Sequence, residues 1–219
     1  HSVEIESGIL EVGMSLHCHV DEAKRKATTA NHSCTHLLQS ALKEVVGEHI
    51  HQAGSYVCDE YLRFDFNHFE KLTTKQLDEI EDLVNQYIAG AYPVTKEIMD
   101  IEEAKKSGAT ALFNEKYGDR VRVVTMGEVS KEFCAGCHVE NTSQIGLCKI
   151  ISEESIGSDA RRIVAKTGYQ AYKECASEKN MLENIAISAK QKGIKNIDTK
   201  VDAAYQNMHA LQKEIEQLK

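Results

Sequence analysis

Two short stretches of the chain carry side chains that bind metal ions. In the first, His32 and His36 stand four residues apart in a predicted long helix, and one helical turn brings both imidazoles together. In the second, Cys134 and His138 enclose a glycine-containing loop, in which Cys137 offers an alternative thiol. Three imidazoles and a thiolate form the nitrogen and sulfur mixture that suits Zn²⁺. The sequence therefore predicts one zinc ion per chain between these two stretches, at the active site.

The residues by themselves leave other interpretations open. His32 and His36 lie roughly 160° and 200° around the helix from Cys34, which shares its stripe with alanines and leucines. A place in the apolar core is thus disfavoured, while a solvated pair of histidines stays open. The loop Cys134–His138 would then be a structural turn with a buried thiol. It also matches the C-x-x-C-H pattern of c-type haem attachment, and its two cysteines have the spacing of a redox pair. Neither an export leader nor a helix after the loop supports these last two interpretations.

The elements that must position these residues form an α+β pattern. Asp21 is a candidate N-cap for a helix that ends near Val46, before Gly47. A second amphipathic helix spans Thr74 to Ala89, and the segments between are rich in short strands. We expect an antiparallel-rich sheet packed with two main helices, followed by a C-terminal helical, coiled-coil-like pair.

The chain divides into three parts. Residues 1–22 contain two short apolar runs separated by turns and are predicted to form a remnant β segment of short strands. Residues 23–168 form the main domain, and residues 169–219 a helical hairpin or coiled-coil segment. In residues 198–219 apolar residues recur every seven positions, which predicts a seam that can self-associate. Its members are Val201, Ala204, Met208, Leu211, Ile215 and Leu218.

Composition limits the partners of the chain. The net charge of −8 disfavours a protein that binds nucleic acid through a broadly basic surface, so any RNA contact must be local. Two short basic clusters are the candidates for phosphate contacts: Arg161-Arg162 with Lys166, and Lys24-Arg25-Lys26, although either could be only a solvated face. The chain has seven cysteines, an odd number, so we expect reduced thiols rather than a disulfide framework. No leader or membrane-spanning segment is found in the sequence, so we expect a cytoplasmic location. Because the chain starts at His1 without a methionine, we also expect an excised fragment of a longer protein.

Five separated blocks, spread over residues 3–168, resemble one known family. In order, they are Asn31–Leu38, Gln52–Ser55, Leu62–Phe66, Cys134–His138, and Ser152-Glu153 followed by Arg161-Arg162-Ile163. Their succession closely resembles the editing domain of alanyl-tRNA synthetases and, more distantly, free-standing proteins that deacylate mischarged alanine tRNA. The family loop usually has glycine and threonine where this chain has Ala135 and Cys137.

The resemblance implies an aminoacyl-tRNA deacylase that lacks the ligase core. Its substrates would be Ser-tRNA(Ala) and Gly-tRNA(Ala), bound by the acceptor end. By the same resemblance, the four predicted ligands would hold zinc, Gln52 would match a glutamine of the editing pocket, and Gly136 would lie in the loop facing that pocket. Three alternatives remain at this point. The chain could be a tRNA-docking and oligomerisation module with a purely structural zinc, a free-standing trans-editing deacylase, or a metal-dependent hydrolase of small substrates.

Overall fold

The computed structural model describes residues 3–111 and 118–218. Within these residues the chain forms five α-helices and seven strands. The helices are α1 (Glu22–Val46), α2 (Thr74–Ala89), α3 (Ile101–Lys106), α4 (Gly168–Ser188) and α5 (Ile197–Gln217). The strands are β1 (Gln52–Val57), β2 (Leu62–Asn67), β3 (Val94–Asp100), β4 (Arg120–Met126), β5 (Ser130–Phe133), β6 (Cys148–Ser155) and β7 (Ala160–Thr167).

Helix α1 is the central element. The Asp21 side chain caps it by accepting a hydrogen bond from the Lys24 backbone amide at 3.0 Å, and the chain leaves it at Gly47, whose φ is 139°. From Ala30 to Leu42 almost every residue of the helix is buried, the polar ones included. An amphipathic helix buries one stripe, so burial around its whole circumference means that other elements cover it on both sides.

A four-stranded antiparallel sheet, with the order β1-β2-β7-β6, packs against the apolar stripe of α1. Phe64 and Phe66 from β2 and Ile163 from β7 are fully buried in one core cluster with Leu37 and Leu38 of α1. Helix α2 packs beside α1 on the same core. This sheet and these two helices confirm the predicted fold class.

A second, three-stranded antiparallel sheet has the order β3-β4-β5. Strand β5 contacts α1, and the loop that follows it crosses the helix. Helix α3 packs on this sheet through a small cluster of its own, which contains Ala104, Val121, Val123 and Phe133. The face of α1 opposite the apolar stripe is therefore covered as well, which the helical periodicity of α1 could not show.

The prediction of strands before α1 is wrong. Residues 3–20 form no strand in the structure, and their apolar side chains are exposed. The backbone hydrogen bond formed within this segment joins the Met14 amide to the Glu11 carbonyl at 3.3 Å, across a turn. A strand needs a neighbouring strand to satisfy its amides and a surface to cover its apolar side chains. None of the described residues provides either one here.

The predicted C-terminal helical pair is confirmed. Helix α4 follows β7 directly, with Gly168 at φ 53°, and contacts β6 and β7. Helix α5 contacts α4, but most of its apolar side chains stay exposed. None of the described helices combines the length and the apolar character that crossing a bilayer requires.

Candidate metal centre

Helix α1 and the loop after β5 bring four metal-binding side chains together. The ligand atoms of His32, His36, Cys134 and His138 all lie within 4.8 Å of one another. The Cys134 sulfur lies 3.5 Å from Nε2 of His32 and 3.1 Å from Nε2 of His138. A tetrahedral zinc ion with bonds of about 2.0–2.3 Å separates its ligands by about 3.3–3.8 Å. The cluster thus has the composition of a zinc site and nearly its dimensions.

The other ring nitrogens of two of these histidines contact buried polar groups. Nδ1 of His36 lies 2.9 Å from a carboxylate oxygen of Glu132, and both side chains are almost fully buried. Nδ1 of His138 lies 3.2 Å from the Ser33 hydroxyl, which also accepts a hydrogen bond from the Val139 amide. A hydroxyl oxygen has two lone pairs, so it can accept from both groups and leave Nε2 of His138 free to bind a metal. Such contacts hold imidazole ligands in a metal-binding orientation.

The protonation states of Cys134 and His138 suit a cation, and that of His36 differs. Burial opposes ionisation of the Cys134 thiol, but hydrogen bonds from His138, His32 and His36 lower its pKa to about 3. Burial, together with the neighbouring imidazoles, lowers the pKa of His138 to about 4, against the effect of Cys134. For His36, burial opposes the charged form, whereas Glu132 and Cys134 raise the pKa to about 10. A thiolate and a neutral imidazole are the forms that bind zinc, so Cys134 and His138 are ready to bind an ion, whereas His36 must release its proton when it binds.

The loop lies unusually close to α1. A Cβ atom placed on Gly136 would lie 1.9 Å from Cε1 of His32, so any side chain here would displace the imidazole. The Arg122 guanidinium of β4 donates hydrogen bonds to the carbonyls of Gly136, at 2.6 Å, and Cys134, at 3.3 Å. The Gly136 amide in turn points at the Cys134 sulfur, 3.5 Å away. Gly136 and Arg122 together fix the position of the Cys134 thiolate relative to the histidines.

The structure brings together the four predicted ligands and leaves the alternative thiol, Cys137, outside this cluster. His32 and His36 lie opposite the apolar stripe of α1, as the helical wheel predicts, but that face is not solvated. The second sheet and the loop cover it, and His36 is only 3% exposed. A pair of freely solvated histidines is therefore excluded.

Gln52 and the three basic candidates on β7 do not belong to the cluster. Gln52, at the start of β1, donates a hydrogen bond to the Ser55 hydroxyl at 3.0 Å, and no hydrogen bond within the described chain joins it to the four ligands. The three basic candidates on β7 are each paired with a carboxylate. Arg161 contacts Glu153, Arg162 binds Asp65 through two hydrogen bonds, and Lys166 contacts Glu174. Each partner offsets the positive charge that a phosphate would need.

Sequence reasoning missed three residues that support the cluster: Ser33, Arg122 and Glu132. Glu132 precedes Cys134 by two residues, and period-two alternation in an extended segment places both on one face. The sequence contains this alternation, but it points to Glu132 only if residues 130–133 are known to be extended, and strand β5 is not predicted from the sequence. Ser33 and Arg122 act through contacts distant in sequence and left no local pattern.

Part of the chain matches a known domain family. Residues 121–164, which include the loop with Cys134 and His138, match the family described as the threonyl and alanyl tRNA synthetase second additional domain.

The chain is also similar to segments of alanine–tRNA ligases. The chain is 46% identical over 218 residues to the alanine–tRNA ligase of Halalkalibacterium halodurans, and 48% identical over 219 residues to that of Streptococcus thermophilus. In each comparison the match covers 100% of this chain and 25% of the relative. The ligase of Thermotoga maritima is 50% identical over 185 residues, which are 84% of this chain and 21% of the relative. The chain is thus homologous, along its whole length, to a segment of alanine–tRNA ligases, and it spans about a quarter of their length. The resemblance stated from the sequence is confirmed.

Proposed function

We propose that this chain is the editing part of an alanyl-tRNA synthetase and hydrolyses Ser-tRNA(Ala) and Gly-tRNA(Ala). The observation that carries the proposal is the cluster of His32, His36, Cys134 and His138, of which His138 also lines a basic cleft. The homology to alanine–tRNA ligases supplies the substrate class. A cytoplasmic location, where tRNA is charged, is part of the same proposal.

The donor set fits zinc, and the four residues would hold one ion per chain. A zinc ion there would supply a fixed positive charge beside the ester. Four protein ligands complete a tetrahedral shell, which is the coordination of sites that organise structure. We therefore assign the catalytic work to the surrounding chain, which must place the ester, direct a water at its carbonyl and stabilise the oxyanion.

Two residues stay candidates for contact with the aminoacyl group. Gly136 lines the cleft beside the cluster, so its backbone can contact an aminoacyl group held there. Gln52 offers an amide at the position that matches the glutamine of the family's pocket. A site that hydrogen-bonds the serine hydroxyl would reject alanine strongly, because alanine would leave the buried polar group unpaired.

The first test combines metal analysis with deacylation. We expect one zinc per chain by elemental analysis and release of serine from Ser-tRNA(Ala). Cys134→Ala removes the thiolate and should abolish both. Cys175→Ala removes a half-buried thiol from α4 and should change neither, so it serves as the control. Full activity and full zinc content in Cys134→Ala would refute the proposal.

The exposed seam of α5 favours a second role, self-association through residues 198–219. Val201, Met208 and Ile215 are 45%, 48% and 55% exposed, although a heptad seam is stable only when it is covered. Sedimentation of the chain with and without residues 170–219 tests this role. We expect a larger species only when the helices are present, and a monomer in both cases would exclude the idea.

A further inference from the structure

A basic cleft adjoins the metal centre on its solvent side. It has a volume of about 380 Å³ and lies between the start of α1, the sheet residues Lys96 and Arg122, and the loop from Ala135 to His138. Arg25 and Thr29 of α1 line it on one side, and Glu140 is its acidic member. Three cations facing one carboxylate make this a locally positive surface on a chain whose net charge is −8.

Two of the three cations in the cleft already have partners within the chain. Lys96 forms an ion pair with Glu140, and the Arg122 guanidinium donates to the loop carbonyls. Arg25 is different: in the part of the chain that the structure describes, no carboxylate lies within ion-pair distance of its guanidinium, which is exposed. Arg25 also lines an adjoining cleft of about 380 Å³ that is bounded by His138 and Gln144. Among the three described cations of the cleft, Arg25 is therefore the one that is free to bind an anion beside the metal centre.

The helix sets the distance between Arg25 and the metal ligands. Arg25, Thr29, His32 and His36 follow each other at spacings of three or four residues, so they form one stripe along α1. Seven residues of helix place the Cα atom of Arg25 about 10 Å from that of His32. Because the arginine side chain is long, its guanidinium can reach an anion one ribose away from an ester held at the metal centre.

We propose that Arg25 binds the phosphodiester on the 5′ side of the terminal adenosine of an aminoacylated RNA and thereby positions the ester. This inference rests on the proposed function and adds the residue that recognises the substrate as a nucleic acid. Arginine suits the role because its planar guanidinium can donate two hydrogen bonds to phosphate oxygens. It is a positioning residue, since it contacts the substrate away from the reacting carbonyl.

The experiment compares two serine esters that differ in phosphate. One is an RNA minihelix that ends in CCA and carries serine, and the other is seryl-adenosine, which has no phosphate. With the minihelix, Arg25→Ala should raise KM about tenfold and leave kcat unchanged, because a charge-assisted contact is lost from ground state and transition state alike. With seryl-adenosine, Arg25→Ala should match the wild type, and Arg25→Lys should recover part of the loss.

Arg120→Ala is the matched control. Arg120 is exposed on β4 and donates a hydrogen bond to the Ile98 carbonyl, outside the cleft. Arg120→Ala removes the same charge from the chain as Arg25→Ala does, and it should leave KM and kcat unchanged for both esters. An Arg25→Ala variant that loses activity equally on both esters, or on neither, would overturn the proposal.

Binding of RNA gives a readout that does not depend on hydrolysis. Fluorescence anisotropy of the uncharged minihelix, measured across a series of KCl concentrations, should show weaker binding for Arg25→Ala. The slope of log K against log salt should fall by about one, the value for one lost phosphate contact. If the wild type hydrolyses neither ester, the proposed function fails while this measurement still decides on Arg25. An unchanged slope and affinity would refute its role.

Discussion

Replacing Gly136 with alanine should damage the metal centre more than any other change of one methyl group. The new Cβ would lie 1.9 Å from Cε1 and 2.5 Å from Nδ1 of His32, whereas carbon atoms in contact are about 3.5 Å apart. The loop or the imidazole must therefore move by about 1.5 Å. Metal–ligand distances tolerate only about 0.2 Å, so His32 or Cys134 is withdrawn from the shell.

The expected loss follows from that displacement. Removing the support of a ligand costs up to about 100-fold in metal affinity, and withdrawing a ligand costs at least as much. We therefore expect Gly136→Ala to weaken zinc binding by at least about 100-fold, or about 2.8 kcal/mol. Competition with a chromophoric chelator measures the affinity, and the thiolate-to-cobalt charge-transfer band of the Co²⁺-substituted protein reports whether Cys134 still binds.

A second glycine provides the control. A Cβ on Gly157, in the turn between β6 and β7, would meet no atom within 4 Å, so Gly157→Ala should bind zinc like the wild type. If Gly136→Ala keeps the circular dichroism spectrum and the zinc affinity of the wild type, the close approach of the loop to His32 does not shape the site, and the argument is wrong.

Two further predictions concern buried carboxylates. Glu132→Gln removes the charge beside His36 and should lower zinc affinity by about 10- to 100-fold in the same chelator assay; an unchanged affinity would show that Glu132 does not orient the ligand. Arg161→Ala leaves the carboxylate of Glu153, whose side chain is 1% exposed, without its partner, and should lower the free energy of unfolding in urea by about 3 kcal/mol. A loss of only about 0.5 kcal/mol, typical of surface pairs, would instead mean that Arg161 is free for other contacts.

Local signals predicted the two main helices well. Asp21 and Gly47 bound α1, and α2 runs from Thr74 to Ala89 as its periodicity predicts. Caps and apolar spacing act within a few residues, so they can be identified in one sequence. The strands predicted in residues 3–20 failed for the opposite reason. Alternation of apolar residues shows that a segment could be a strand, while pairing depends on a partner that the pattern does not contain.

The basic residues show the same limit. In the sequence, Arg161 and Arg162 are candidates for phosphate contacts because they are adjacent cations, but the sheet places Glu153 and Asp65 beside them. The sequence makes Arg25 as good a candidate for a phosphate contact as Arg161 or Arg162. Only the structure shows that no described carboxylate pairs with Arg25 and that Arg25 lines the same cleft as the metal ligand His138. The charge of a residue is local, whereas its neutralisation is set by neighbours from other elements.

The sequence by itself determined the chemistry of the site: which imidazoles and which thiol can bind a cation, and which helical turn presents two of them. Tertiary structure decided that these groups meet. It placed the loop of Cys134 and His138 across α1, covered the polar face of that helix with a second sheet, and set Glu132 and Ser33 behind the ligands. These outcomes depend on packing between segments far apart in the chain, and such packing has no period that a single sequence displays.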